Sequence, residues 1–172
     1  IAYKQTAGKG RAGRSWLANP KDSLCFSIAF PFKRTPAELS GLSLLVGLAV
    51  ITGIAQACDL SEAQLRAVGL RLKWPNDLLL NNRKLGGILI EGGQAKAGDP
   101  TWMIVGVGMN LRNAEVIEAN LDTGLKVSSL SQLTKKLPDV EYLWLTLLAS
   151  LEHHLAEFDR HGFKPCKATW MK

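Results

Sequence analysis

The residues best equipped for chemistry gather first in Gln5-Thr-Ala-Gly-Lys-Gly-Arg-Ala-Gly-Arg-Ser-Trp16, where glycines alternate with cations and an indole closes the run. The segment has no apolar residues at either the helical or the strand period, and glycine disfavours both elements. Glycine lets backbone N–H groups come close to a ligand, and Lys9, Arg11 and Arg14 can neutralise phosphate or carboxylate. From Ile1 to Lys21 there are five cations (Lys4, Lys9, Arg11, Arg14, Lys21) and no acid. The pattern points to a loop that holds an anion. A basic surface tail or a nonspecific nucleic-acid contact is the plainer reading. The loop lies between apolar Ile1-Ala-Tyr3 and a strand candidate at Ser23–Phe30, and its Trp16 gives it something to fold onto. No Gly-Lys-Ser/Thr follows at P-loop spacing, and no helix-opening GxGxxG fits.

Three later segments repeat the theme. Lys73-Trp-Pro-Asn-Asp77 puts a cation at a strand end and an amide and a carboxylate beyond a rigid turn. Lys73 could neutralise phosphate, Asp77 hold Mg²⁺ and Asn76 bind an oxygen; a turn built from ordinary Asn and Asp turn-formers is the alternative. Arg83-Lys84-Leu-Gly-Gly-Ile88 sets a cation before glycines, as a ligand site or as a bulged hairpin with a solvated lysine. Val105-Gly-Val-Gly-Met-Asn110 would suit an adenine edge or an apolar ligand wall, with Asn110 as the hydrogen-bonding group, or else a glycine-thinned core strand.

These segments need elements to position them. Strands are expected at 23–30, 68–74 (ended by Pro75), 77–80, 84–91 and 102–110, with Asn81-Asn82 as a tight hairpin turn. Thr35-Pro-Ala-Glu38 reads as a capping box opening a helix to about Cys58, and Ser61-Glu-Ala-Gln64 as a second, shorter start. Gly92–Pro100 is a polar loop. Residues 112–138 are ambiguous, with short helices. Asp139 caps a long amphipathic helix that ends near His161, stopped by Gly162. The order predicts an α+β fold, a mixed β-sheet flanked by helices, and no regular βαβ repeat.

The whole chain is bounded by 172 residues, 47% of them apolar, which suits one soluble globular domain. The net charge of +6 implies acidic ligands, but much of the excess lies in the first loop, which weakens a nucleic-acid reading. Cys25, Cys58 and Cys166 are widely separated and odd in number, so neither a complete disulfide framework nor zinc spacing is present; reduced thiols of a cytoplasmic protein are expected. Leu39–Cys58 has no charge but carries too many Ser, Gly, Thr and Gln residues for a membrane span, and reads as a buried helix. His153, His154 and His161 have no partners at metal spacing. The chain starts on an apolar run without Met, and upstream residues are expected.

Taken together, Gln5-x-x-Gly-Lys-Gly-Arg-x-Gly-Arg-x-Trp16, Lys73-Trp-Pro-Asn-Asp77, Arg83-Lys-Leu-Gly-Gly-Ile-Leu-Ile-Glu91 and Gly106-x-Gly-x-Asn110 resemble, in order and separation, the biotin protein ligase family. The long last helix and Trp170 fit as well. The resemblance implies a sheet related to class II aminoacyl-tRNA synthetases and a reaction in two steps. Biotin and ATP give biotinyl-5′-AMP and pyrophosphate; a lysine of a biotin carboxyl carrier protein or domain then attacks the adenylate. It implies Arg11, Lys84 and Lys73 as catalytic. It places Gln5, Lys9, Gly10, Arg11, Lys84, Gly87 and Gly106 on the biotin side, and Arg14, Trp16, Lys73, Asn76, Asp77 and Asn110 on the ATP side. Asp77 would meet the Mg²⁺ of the nucleotide. No tightly bound cofactor, membrane or nucleic acid is implied, and a homodimer is compatible.

Residues 1–163 would be the catalytic domain, with its N-terminal part missing, and 164–172 the start of a connection to a C-terminal β-domain. Lys9 departs from the family's usual arginine, which removes bidentate contact there. The family's upstream Ser/Thr-Asn segment and its C-terminal β-domain do not appear in this sequence. The rivals are a lipoate or octanoate ligase of the same fold and, from another class, a basic nucleic-acid-binding module.

Overall fold

β1 (Ser23–Phe32) from Phe26 onward, and β5 (Thr101–Asn110) up to Met109, alternate more and less buried residues, as strands with one covered face must. With β2 (Leu70–Lys73), β3 (Asp77–Leu80) and β4 (Arg83–Gly93) they form one sheet in the order β1-β5-β4-β3-β2. The computed structural model describes residues 1–121 and 124–163; Cys166, Trp170 and the expected connection at 164–172 lie outside them. Neighbouring strands pair antiparallel throughout. Among the described residues, the parallel component of the expected mixed sheet is a single bridge, Lys84 to Val127.

β1 continues past Phe30 because Pro31 falls on an edge strand, where its missing N–H breaks no ladder. β2 starts at Leu70 and not at residue 68, since α2 (Glu62–Ala67) holds the chain until Gly69 turns it with φ 84°. Asn81 and Asn82 adopt φ 50° and 62°, as a tight hairpin turn requires.

The expected helix from Pro36 to Cys58 is two elements. Pro36–Leu39 is one 3₁₀ turn, fixed by the Thr35 N–H donating to Glu38 Oε2 at 2.9 Å. Ser40 then leaves helical geometry and Gly41 sits at φ 91°, so α1 begins only at Leu42 and runs to Cys58. Its uncharged sequence is explained by position: Leu45, Val46, Ala49, Val50 and Ile54 are fully buried between the sheet and α4 (Val140–His161). No helix among the described residues is long and apolar enough to cross a membrane.

Asp139 Oδ1 accepts from the Glu141 and Tyr142 N–H groups at 2.9 and 3.2 Å and starts α4, which stops at Gly162. Arg34 Nε donates to the last-turn carbonyls of Phe158 and Asp159, both at 2.9 Å. The ambiguous stretch holds α3 (Ala114–Ala119) and a 3₁₀ turn at Leu130–Gln132. Both long helices pack on one face of the sheet and leave its other face for a site.

Candidate active site

One row of residues crosses all five strands. Cys25 on β1 pairs with Gly108 on β5, Gly108 with Gly87 on β4, Gly87 with Asp77 on β3, and Asp77 with Lys73 on β2. Residues directly opposite each other point the same way, so the row lies on one face. A one-residue irregularity between Leu78 and Leu79 leaves Leu85 as the extra residue of β4. Strict alternation from Gly87 would send Lys84 to the helix-covered face; the bulge returns it to the face of Asp77. Lys84 Nζ then reaches Asp77 Oδ1 at 2.7 Å.

The basic segment, expected to lack strand or helix, closes into a small hairpin over this row. Lys9 bridges Ser15 antiparallel, the Gly10 N–H donates to Arg14 O at 2.6 Å, and the Trp16 N–H donates to Gly8 O at 2.9 Å. Arg11–Gly13 forms its 3₁₀ tip. The Trp16 indole lies on the glycines of the row: a Cβ at Gly108 would stand 2.6 Å from Trp16 Cε2, and one at Gly87 3.5 Å from Cζ3. Lys84 Nζ lies 5.6 Å from the indole centroid, within cation–π range. Burial pushes the Cys25 thiol up, against a smaller lowering by the Trp16 N–H beside it, which keeps the thiol protonated.

Between hairpin and sheet is a cavity of about 880 Å³. Gln5, Lys9, Gly10, Arg11, Arg14 and Trp16 line it from the hairpin side. Asn76, Asp77, Lys84, Gly87, Gly106 and Asn110 line it from the sheet. Lys73 does not: it is exposed at the end of edge strand β2, in the row but outside the lining. Four cations thus meet one carboxylate, that of Asp77, which is engaged by Lys84. Lys9, Arg11 and Arg14 have no carboxylate partner among the described residues. No group of three or more His, Cys, Asp or Glu that could hold a metal occurs among the described residues.

The two asparagines differ. Asn76 is tied to β4: its Nδ2 donates to Ile88 O at 2.7 Å and its backbone carbonyl accepts from the Ile88 N–H at 3.0 Å. Asn110, 2% exposed, donates through Nδ2 to Ser128 O at 3.1 Å and Lys84 O at 3.4 Å. Those bonds fix the amide, and its Oδ1 is buried without a partner. A buried acceptor in a cavity wall asks for a ligand N–H or O–H.

A further wall was not legible beforehand. Ile117, Leu121, Leu125 and Val127 line the cavity as an apolar surface. Glu118 ties this wall to the sheet. It binds Lys126 Nζ and Arg83 Nη2 at 2.7 Å each and accepts from the Val127 N–H at 3.0 Å, while Arg83 Nε donates to Val127 O at 2.8 Å. The Lys126 and Val127 hydrogen bonds, with the charges of Lys126 and Arg83, hold the Glu118 carboxyl down at about 2. Residues 112–138 show only short apolar runs without a period, so no signal set these four apart from the other apolar residues of the stretch. Cys25 and Ser27, which also line the cavity, read in sequence only as strand residues.

The profile of the biotin/lipoate A/B protein ligase family matches residues 1–110. The Escherichia coli bifunctional ligase/repressor BirA is 33% identical over 172 residues, covering 100% of this chain and 50% of that protein. The Mycobacterium tuberculosis biotin–[acetyl-CoA-carboxylase] ligase is 33% identical over 159 residues, 92% of this chain and 54% of its own length. The chain therefore spans about half the length of the curated relatives it matches. Among solved structures, the Aquifex aeolicus biotin protein ligase in complex with biotin and ATP superposes with a TM-score of 0.72 at 26% identity, covering 98% of this chain and 64% of that one. The Leishmania major enzyme in complex with biotinyl-5-AMP gives 0.68 at 26%, covering 92% and 68%.

Proposed function

The chain belongs to the biotin/lipoate A/B protein ligase family, and we propose that it is the catalytic domain of a biotin protein ligase. It activates biotin with ATP and passes the biotinyl group to a lysine of a carboxyl carrier protein. The observation that carries this reading is the convergence of four cations on one cavity whose single carboxylate is already engaged. Such a cavity suits the meeting of two anions. In the first step a biotin carboxylate oxygen bonds to the α-phosphorus of ATP and the bond to pyrophosphate breaks. In the second, the neutral carrier amine bonds to the activated carbonyl, AMP leaves with the electron pair, and the amine nitrogen releases a proton.

Arg11 and Lys84 offset the repulsion between carboxylate and phosphate and stabilise the charge that develops during transfer. Lys73, outside the lining, reaches in from the rim toward the phosphates. Gln5, Lys9, Gly10, Gly87 and Gly106 form the biotin side. Arg14, Trp16, Asn76 and Asp77 belong to the nucleotide side, where the unpaired Asn110 Oδ1 accepts from the adenine amino group. The apolar wall of Ile117, Leu121, Leu125 and Val127 covers a flat ring face. Magnesium arrives with the nucleotide as co-substrate; Asp77 offers it one carboxylate oxygen, and phosphates and water supply the rest. The hairpin above the row keeps water from the adenylate.

Support comes from relatives whose structures contain biotin with ATP, or biotinyl-5-AMP, and from relatives named as biotin–[acetyl-CoA-carboxylase] ligases. The carrier domain as partner, a cytoplasmic location, a homodimer and the assignment of 1–163 as the catalytic domain belong to the same reading. The test is adenylate formation by the full-length protein with biotin, lipoate and octanoate offered separately. Biotin alone should be activated; activation of lipoate or octanoate instead would move the chain to the other branch of its family.

A further inference from the structure

β2 is a four-residue edge strand with β3 as its one neighbour, yet it ends on Lys73, a cation of the row. A short edge strand frays unless something grips it from beneath. Two residues of α1, one turn apart on the same side, provide the grip. Ser43 Oγ donates to the Pro75 carbonyl at 2.7 Å, across 32 residues of chain. Gly47 leaves a notch filled by the Leu72 side chain, whose Cδ2 would lie 2.6 Å from a Cβ at that position. Leu72 points to the helix and Lys73, the next residue, to the opposite face, as strand alternation requires.

The Lys73–Asp77 turn is therefore held at three points. Leu72 is seated before it, Pro75 is tied at its apex, and Asn76 is locked to Ile88 at its exit. Pro75 has no N–H, so its carbonyl is its sole backbone polar group, and Ser43 is the partner that carbonyl has. Neither Ser43 nor Gly47 lines the cavity. A serine in the first turn of a helix commonly serves its own helix end; this one is committed to another element.

We propose that Ser43 is a positioning residue for phosphate activation: through the Pro75 carbonyl it fixes the turn that carries Lys73 and Asp77, and so sets their place relative to the Gly87–Gly108 floor. The role of Lys73 and Asp77 rests on the ligase reading; the mechanical link does not. A displacement of about 1 Å in a charge-positioning element costs up to about a hundredfold in rate, so the link has kinetic weight without touching the ligand.

The test has two arms on the full-length protein. In the first, amide hydrogen exchange is compared between wild type and Ser43→Ala. Exchange at Asp77 and Ile88 should rise severalfold while the β1–β5 amides stay unchanged, and Ser43→Thr should restore protection. Unchanged exchange at the turn would overturn the link whatever the reaction is.

In the second arm, single-turnover adenylate formation is measured with ATP and biotin. Ser43→Ala should slow the step on the order of tenfold, with the biotin KM moved less than about twofold. In a Lys73→Ala background the same substitution should cost clearly less than it does in wild type, because only its effect through Asp77 remains. Fully additive losses would overturn the positioning role. A wild-type protein inactive toward biotin would instead sink the ligase reading, with the exchange arm still judging the strut.

Discussion

The two walls of the cavity are built on opposite plans. The hairpin wall carries charge and few tethers: Lys9, Arg11 and Arg14 are exposed, three backbone hydrogen bonds close the loop on itself, and one indole rests on the sheet. The α3 wall carries apolar surface and many tethers, with Glu118 alone engaging Lys126, Arg83 and the Val127 N–H. Charge that must meet an incoming anion is left free to reorganise, whereas a surface that only has to match a ring is clamped in advance. Substitutions on the first wall should therefore strike the chemical step, and those on the second should strike binding and stability.

The largest effects should come from the cations. Arg11→Ala and Lys84→Ala should each reduce adenylate formation on the order of a hundredfold or more, as loss of a charge-stabilising donor does. The thermal midpoint of Arg11→Ala should match wild type, since Arg11 has no ion-pair partner among the described residues. Wild-type turnover in either variant would take that residue out of the mechanism. Next comes Gly108→Ala, whose methyl would run into Trp16 and lift the indole from its seat. A loss on the order of tenfold in kcat/KM is expected, with little change in unfolding.

Glu118→Gln tests the clamped wall. It should raise the ATP KM roughly three- to tenfold, about the net worth of one ordinary hydrogen bond, and leave the maximal rate almost intact. The pH dependence has a definite sign. The folded-state value near 2 lies below the ordinary 4.5, so the Glu118 contribution is complete above about pH 4.5 and disappears as pH falls toward 2. Acid titrations of wild type and Glu118→Gln should therefore differ at pH 5 and converge near pH 2. Parallel curves across that range would remove the clamp. The smallest effect is ionic: raising salt should weaken nucleotide binding through the exposed hairpin cations only severalfold, and far less for Lys84, which is half-buried beside Asp77.

The same contrast explains what the sequence could disclose. Local chemistry was legible: the Asn81-Asn82 turn, the Asp139 cap, the Gly162 stop and the four segments rich in cations or glycine follow from single residues with strong preferences. Registers and tertiary walls were not. The re-aiming of Lys84 depends on one extra residue in β4, and strict period-2 counting puts that lysine on the wrong face. Asn76 lines the cavity as its type suggested, but the bond of its Nδ2 to Ile88 O joins residues twelve apart and could not be read locally. The Ser40-Gly41 break was hidden because the Thr35–Glu38 capping box is real and simply serves a shorter element. Ile117, Leu121, Leu125 and Val127 form a wall through long-range contacts that no local pattern encodes: the Glu118–Arg83 ion pair and the backbone bonds of Lys126 and Ser128 to Lys84.

The measurement that bears most directly on the central claim is ATP–pyrophosphate exchange by the full-length protein, with wild type and Arg11→Ala compared under biotin, lipoate and octanoate. Exchange that requires biotin, and that falls on the order of a hundredfold in the variant, is the predicted result. Exchange with none of the three acids, from a folded protein, would contradict the reading of this cavity as a site for activating a carboxylate.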